Sequence, residues 1–111
     1  RRRMSDWINF DYESVGDKVS KQEVELLRRR TNVDENTAYK IIRVGAEMRK
    51  EYKAGDLPYA PSIGDLIHWA VLIKDGSDPI SSAEETIVAL TSDSVEVQAD
   101  VRRLIEAIFA H

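Results

Sequence analysis

Very few residues of this chain combine the type and the spacing that chemistry requires. The 111 residues contain no cysteine, which excludes disulfides and thiolate metal sites and is typical of cytoplasmic proteins. His68 is the only histidine inside the chain, and no second histidine or cysteine lies near it. A metal site needs several ligands at defined spacing. We therefore interpret His68 as a buried or half-buried structural residue and expect no metal site.

The acidic and glycine residues form no active-site motif. Glu84 and Glu85 are neighbours on an expected helix, so they face different ways and make a poor catalytic pair. We interpret them as anions in the first turn of that helix. The sequence has no G-x-x-x-x-G-K-[ST] phosphate loop and no H-E-x-x-H zinc motif. The chain therefore shows no self-contained catalytic site.

The densest cationic run is Arg28, Arg29 and Arg30, where a helix is expected to end. Cations suit that place because a helix dipole is negative at its carboxyl end. An anion-binding site is the alternative interpretation, but charge runs are usually solvated faces, and we favour a solvated helix end. The net charge of −4 also disfavours a broad nucleic-acid interface, which is usually basic.

A DNA-binding helix-turn-helix is an alternative for a chain of short helices. The helix after Pro61 carries Ile63, Asp65 and His68 where a recognition helix would carry arginine, asparagine or glutamine. We therefore expect no nucleic-acid partner.

No apolar run approaches roughly 18 residues, so no membrane span is predicted. The basic start of the chain lacks an apolar stretch, so no signal peptide is predicted. These features predict a cytoplasmic protein without a membrane partner.

The strongest helix start in the chain follows Pro61. Proline ends whatever precedes it, and Ser62 can cap the first turn with Asp65 three residues on. Apolar side chains then recur at helical spacing until Lys74, and Gly76 follows as an end signal. One amphipathic core helix is predicted here.

The remaining segments give similar signals, and Ser20 with Glu23 forms a capping box. The further predicted helices run from Ser20 to about Thr31, Asp34 to about Ala54, Ser81 or Ser82 to about Thr91, and from a cap within Ser92–Ser94 to the end. The second of these should bury the stripe Ala38, Ile41, Ile42, Gly45, Met48 and Tyr52. The last should bury Val97, Val101, Leu104, Ile105 and Ile108. Short loops join the segments, which predicts an all-α bundle of about five helices after a short extended segment.

That extended segment is Trp7–Tyr12, where apolar and polar residues alternate and aromatic residues are dense. This pattern is typical of a strand. No other segment offers a partner strand, and a single strand cannot satisfy its own backbone hydrogen bonds. It is either an extended arm lying on the helices or a strand cut from a sheet that lies upstream. The chain also starts without a methionine, and we expect it to be a fragment.

The order and spacing of several segments resemble the C-terminal part of MoxR-type AAA+ ATPases, with the CbbQ and NorQ activators as the nearest group. The segments are Arg2–Met4, Asn9–Tyr12, Arg29–Glu35, Pro61–Leu66 and Ala83–Thr86. In that family an αβα nucleotide-binding core precedes a helical lid. The resemblance implies that residues 1–14 are the end of the core, with its last strand, and that residues 15–111 are the lid domain.

The resemblance implies two sets of functional residues. In the family an arginine just before the last core strand reaches the nucleotide of the neighbouring subunit, and Arg3, or alternatively Arg2, stands at that place. A disordered basic N-terminus is the alternative interpretation. The second sensor of the family is an arginine at the start of the lid helix, in the pattern Ser-x-Arg. Here Ser62, Gly64 and Asp65 form that region, and the arginine is absent.

The resemblance also implies the cofactors and partners of the whole protein. ATP and Mg would bind with the core, and the present residues alone should bind neither because the Walker motifs are absent. The partners would be the core domain in the same chain, neighbouring subunits of a hexameric ring, and a von Willebrand factor A-domain protein. The implied function is an ATP-driven chaperone that activates or assembles client proteins. A stand-alone helical adaptor that binds a partner protein is the alternative.

Overall fold

The computed structural model describes residues 19–110, and all regular structure in that range is helical. The helices are α1 (Lys21–Thr31), α2 (Glu35–Lys53), α3 (Ile63–Lys74), α4 (Pro79–Ala83), α5 (Ala89–Thr91) and α6 (Val95–Phe109). A π-helical segment, Glu84–Val88, joins α4 to α5, so residues 79–91 form one uninterrupted helix. This confirms the predicted all-α bundle of about five helices. The predicted extended segment Trp7–Tyr12 and the predicted domain limit after residue 14 lie outside the described residues.

α1 and α2 form a helical hairpin, and the helices after residue 62 cover it. α1 and α2 lie against each other, and α3 packs on both of them and on the 79–91 helix. α6 packs on α2 and on the 79–91 helix. α2 therefore contacts three other helices and lies at the centre of the bundle.

Among residues 19–110, Trp69 of α3 has the largest fully buried side chain. Its ring lies 5.5 Å from the ring of Phe109 at the end of α6, measured between centroids. Its indole N–H donates a hydrogen bond of 3.0 Å to the carbonyl of Pro79, as buried tryptophan requires. Trp69 therefore ties α3 to α4 and α6 at one end of the bundle.

Most predicted helix ends are confirmed. Ser20, Asp34 and Ser94 each cap the first turn of the following helix by accepting a hydrogen bond from a backbone N–H. Gly55 and Gly76 follow α2 and α3 with φ of 86° and 108°, which glycine adopts without steric cost. At Ser20, the capping box is half formed. The carboxylate of Glu23 lies 3.9 Å from Arg49 of α2 and makes no return bond to the cap.

The predicted start of the fourth helix at Ser81 or Ser82 is wrong. Asp78 is the cap, because its carboxylate accepts from the N–H groups of Ile80 and Ser81, and Pro79 occupies the first helical position. Ser82 is buried inside the helix and donates its hydroxyl to the carbonyl of Asp78. Proline at the first position, with an aspartate before it, outweighs the two later serines.

The structure corrects two further expectations, one on burial and one on a helix start. Tyr52 was expected in the buried stripe of α2 but is 50% exposed. Glu51, the residue before it, is fully buried. Residues 51 and 52 both continue the stripe at helical spacing, and the neighbouring helices cover Glu51. The other expectation placed Glu84 and Glu85 in the first turn of a helix. They lie in the π-helical segment after α4, because the helix begins at Pro79.

α2 and α3 approach closely at Gly45. A Cβ atom at this position would lie 2.7 Å from Cδ1 of Leu66, which is too short for a carbon contact. Leu66 is fully buried. The absent side chain at Gly45 is therefore what allows α3 to lie at this distance from α2.

No described helix is long and apolar enough to cross a bilayer.

Candidate functional site

The start of α3 carries the three residues expected to form the second-sensor region, and the structure brings them together in one helical turn. The hydroxyl of Ser62 accepts from the N–H of Asp65 at 3.1 Å. The carboxylate of Asp65 accepts from the N–H of Ser62 at 2.9 Å. This reciprocal pair is the predicted capping box, and it uses two of the N–H groups that a helix start otherwise leaves without partners.

Asp65 has a second partner that the sequence did not indicate. The hydroxyl of Tyr59, in the loop before the helix, donates a hydrogen bond to its carboxylate. Burial raises the pKa of Asp65, but the hydrogen bonds from Tyr59 and Ser62 outweigh that effect and hold the pKa below its usual value. The same hydrogen bond to Asp65, together with burial, raises the pKa of the Tyr59 hydroxyl. The carboxylate at the helix start is therefore ionised and held by its own chain.

The free part of this helix start is at Gly64. The capping box leaves the N–H groups of Ile63 and Gly64 for water or a ligand, and Gly64 is exposed. A Cβ atom on Gly64 would have Ser62 Oγ as its nearest neighbour, at 3.6 Å, which is an ordinary contact. The position therefore has room for a larger side chain. The helix dipole favours an anion here, whereas the adjacent Asp65 carboxylate reduces that attraction.

His68 is exposed, which corrects the expectation that it is buried or half-buried. The buried face of α3 consists of Leu66, Trp69 and Ala70, and His68 lies outside it. No group of three or more potential metal-ligating side chains exists within residues 19–110. His68 is therefore a surface residue in the turn after Asp65.

The arginine run at the end of α1 is solvated, as expected. Arg29 and Arg30 are exposed, and Arg28 forms an ion pair of 3.2 Å with Glu25 one turn earlier. An open cleft of about 250 Å³ lies beside this turn. An exposed pair of this kind contributes little to stability, so these cations are available for other partners.

Sequence reasoning missed the buried charges of α2. Arg43, Glu47 and Glu51 are each at most 2% exposed. Their spacing of four residues places them along one face, and an arginine followed by glutamates at that spacing is the signal that could have found them. Buried side chains of these types are tolerated only where opposite charges and hydrogen bonds compensate them.

A second missed contact joins the π-helical segment to α6. The guanidinium of Arg102 donates two hydrogen bonds to the carboxylate of Glu84, one of them 2.8 Å from Nη2 to Oε1. This bidentate contact lowers the pKa of Glu84. Nothing in the sequence marks the pair, because the two residues lie 18 positions apart.

The candidate arginines Arg2 and Arg3 lie outside the described residues, so their predicted role stays a prediction.

Residues 23–108 match a known protein family, which is described as CbbQ/NirQ/NorQ C-terminal. The match extends from the first turn of α1 almost to the end of α6. No curated protein matches the chain at a significant level.

Proposed function

Because this chain belongs to the CbbQ/NirQ/NorQ C-terminal family, the helical lid region of MoxR-like AAA+ ATPases, we propose that it is the lid of an ATP-driven machine that remodels or activates client proteins. The observation that carries the proposal is the family match through all the helices of the bundle. The core that binds ATP and Mg would precede residue 15 in the same chain. The whole protein would be cytoplasmic.

We infer that nucleotide is contacted through the start of α3. The N–H groups of Ile63 and Gly64 lie at the amino end of α3, where the helix dipole is positive. This end suits a phosphate oxygen. Asp65 remains bound to Ser62 and Tyr59 and positions this turn. The contact is made by backbone alone, because the chain has glycine where the family has the second-sensor arginine.

Movement of the α3 start would be passed to the whole bundle. Leu66 and Trp69, within two turns of Ser62, are fully buried among the other helices. A close-packed interior does not allow one helix to shift alone. Nucleotide binding at Gly64 would therefore move the lid as a rigid body, which is how a lid transmits the state of the nucleotide to a client.

In the assembled protein, Arg3, or Arg2 beside it, would reach the nucleotide of the neighbouring subunit. A guanidinium supplied in trans neutralises the charge that develops on the transferred phosphoryl group. Such an arrangement needs a closed ring, and we propose a hexamer that works with a von Willebrand factor A-domain partner. Each subunit would then depend on the next for hydrolysis.

Calorimetry with ATP and Mg tests the lid assignment. The full-length protein should bind nucleotide, and the 111-residue chain should show no measurable binding because it contains no phosphate loop. Micromolar binding to the 111-residue chain would contradict the assignment, since the nucleotide site would then lie within these residues.

Turnover in the full-length protein tests the arginine in trans. Arg3→Ala should lower turnover by about 10³-fold or more, whereas Arg1→Ala, the same change two positions earlier, should leave it unchanged. Equal effects of the two variants would show a general need for basic charge and would remove Arg3 from the proposed role.

A further inference from the structure

Two of the four exposed large apolar side chains among the described residues lie near each other in the chain, at the turn before α6. Leu90 is 50% exposed and Val95 is 81% exposed. The other two, Tyr52 and Val71, lie singly on α2 and α3. Single exposed apolar residues are ordinary, whereas a group of them is typical of a contact surface. We define residues 90–96 as the apolar corner.

The rim of the apolar corner is acidic. Asp93 and Glu96 are exposed, and neither forms an ion pair with another residue of the described range 19–110. The nearest cations along the chain, Arg102 and Arg103, are each held in an ion pair with a carboxylate of the bundle. The corner therefore presents negative charge that its own neighbourhood does not balance.

The surrounding half of the bundle has the same sign. Residues 61–110 contain three Lys and Arg against nine Asp and Glu side chains, a net charge of −6. The field of these charges extends over the corner and selects what approaches it.

Hydrogen bonds hold the apolar corner in one conformation. The side-chain amide of Gln98 donates to the carbonyl of Ser92 at 2.7 Å, and the N–H of Ser94 donates to the Ser92 hydroxyl at 2.9 Å. The Ser94 hydroxyl caps α6, and the buried Thr91 donates its hydroxyl to the carbonyl of Ile87. A surface that is ordered before binding loses little conformational entropy on binding.

The sign of the charge decides which class of partner fits the corner. The phosphates of nucleic acids and the headgroups of anionic lipids are negative, so the acidic rim repels both. A protein segment with an apolar side chain between lysine or arginine residues complements the apolar corner and its rim together.

We propose that the apolar corner binds a segment of another protein in which lysine or arginine residues flank an apolar side chain. Leu90 and Val95 contact that apolar side chain, and the carboxylates of Asp93 and Glu96 pair with the flanking cations. The inference uses only the surface of residues 61–110. It goes beyond the proposed function, because it depends neither on nucleotide nor on the lid assignment.

An NMR titration of the 111-residue chain locates and measures this contact. The probe is a short amphipathic peptide of leucine and lysine, and the matched peptide carries glutamate in place of lysine. The lysine peptide should shift the backbone amide signals of residues 90–96 more than those of other acidic segments, and added salt should weaken its binding. The glutamate peptide should bind at least about tenfold more weakly, because like charges repel.

Two pairs of variants separate the apolar corner from the general acidity of the chain. Val95→Ser should weaken binding of the lysine peptide about tenfold, because it removes a valine that the peptide buries. Val71→Ser, the same change at an exposed position of α3, should leave binding unchanged. Asp93→Asn should weaken binding about threefold, whereas Asp75→Asn, the same loss of charge at an exposed position after α3, should have little effect. Circular dichroism of each variant establishes that it is folded.

Several results would overturn the proposal. Signal shifts spread evenly over the acidic residues, or equal effects of corner and control variants, would show that the peptide responds to charge alone. The same shifts at residues 90–96 on raising the concentration of the chain without peptide would show that a second copy covers the corner. Binding of phosphatidylglycerol vesicles through residues 90–96 would assign the corner to a lipid surface. Absence of binding at about millimolar lysine peptide would leave the corner without the proposed partner chemistry.

Discussion

α2 and α6 pack on each other at the centre of the bundle, yet they bury different kinds of side chain. α6 buries a continuous apolar stripe, of which Val101, Leu104, Ile105 and Ile108 are each at most 1% exposed, and a single charged residue, Asp100. α2 buries apolar residues and also four charged ones, Lys40, Arg43, Glu47 and Glu51. α2 packs against three helices and buries ten of its nineteen residues, whereas α6 packs on α2 and the 79–91 helix and buries five of its fifteen. The apolar stripe of a helix predicts its whole buried surface only where other elements cover a single face of that helix.

The largest effect should come from the stripe of α6. Ile105→Ala should lower the free energy of unfolding by about 2–5 kcal/mol, because it removes buried methyl groups and leaves a cavity. Val95→Ala on the same helix is the control and should change the free energy by less than about 0.5 kcal/mol, as exposed positions do. Denaturant unfolding measures both. An unchanged midpoint for Ile105→Ala would show that the stripe is exposed and that α6 does not pack as described.

The centre of α2 should respond to added volume. Gly45→Ala places a Cβ atom against the buried Leu66 side chain, and the overpacking cost of about 1–3 kcal/mol exceeds the helix-propensity gain of about 1 kcal/mol. A net loss of about 1 kcal/mol is expected. Gly64→Ala, where a Cβ atom has only an ordinary contact, is the matched control and should stabilise slightly. If both changes stabilised the protein equally, α2 and α3 would be farther apart than the structure shows.

The smallest effect should come from the contact between α6 and the π-helical segment. Arg102→Ala should lower the free energy of unfolding only slightly, since both partners are more than a third exposed and solvent screens the pair. Its pH dependence follows from the lowered pKa of Glu84. The stabilisation is present above the unfolded pKa of about 4.5 and is lost as the pH falls through the lower folded pKa. Unfolding curves of wild type and Arg102→Ala should therefore differ at neutral pH and converge in acid. A difference that persists in acid would assign the effect to packing of the arginine stem.

Local signals in the sequence predicted most of the fold. Ser62 and Asp65 lie three residues apart, so their capping box could be read directly, and the α6 stripe follows from its period. The contacts of Tyr59 with Asp65 and of Arg102 with Glu84 could not be read, because tertiary packing brings these residues together. The cap at Asp78 was missed because two serines that follow it give the same local signal.

The site could be predicted in outline only. The residues of the α3 start were identified through resemblance, and the structure shows them in one turn with Gly64 exposed. What the sequence could not show is that Asp65 is held by Tyr59 as well as by the cap. That contact comes from the loop before α3, whose path depends on the packing of the whole bundle.

The central claim is that the start of α3 faces the nucleotide of the assembled protein, and Gly64→Arg in the full-length protein tests it most directly. A guanidinium at this exposed position would add a charge-assisted hydrogen bond to phosphate, so ATP should bind more tightly or turn over faster. Ser81→Arg, near the start of α4, places the same side chain at another exposed helix start and should change neither quantity. Unchanged ATP affinity and turnover in a folded Gly64→Arg protein would show that α3 does not present its start to the nucleotide.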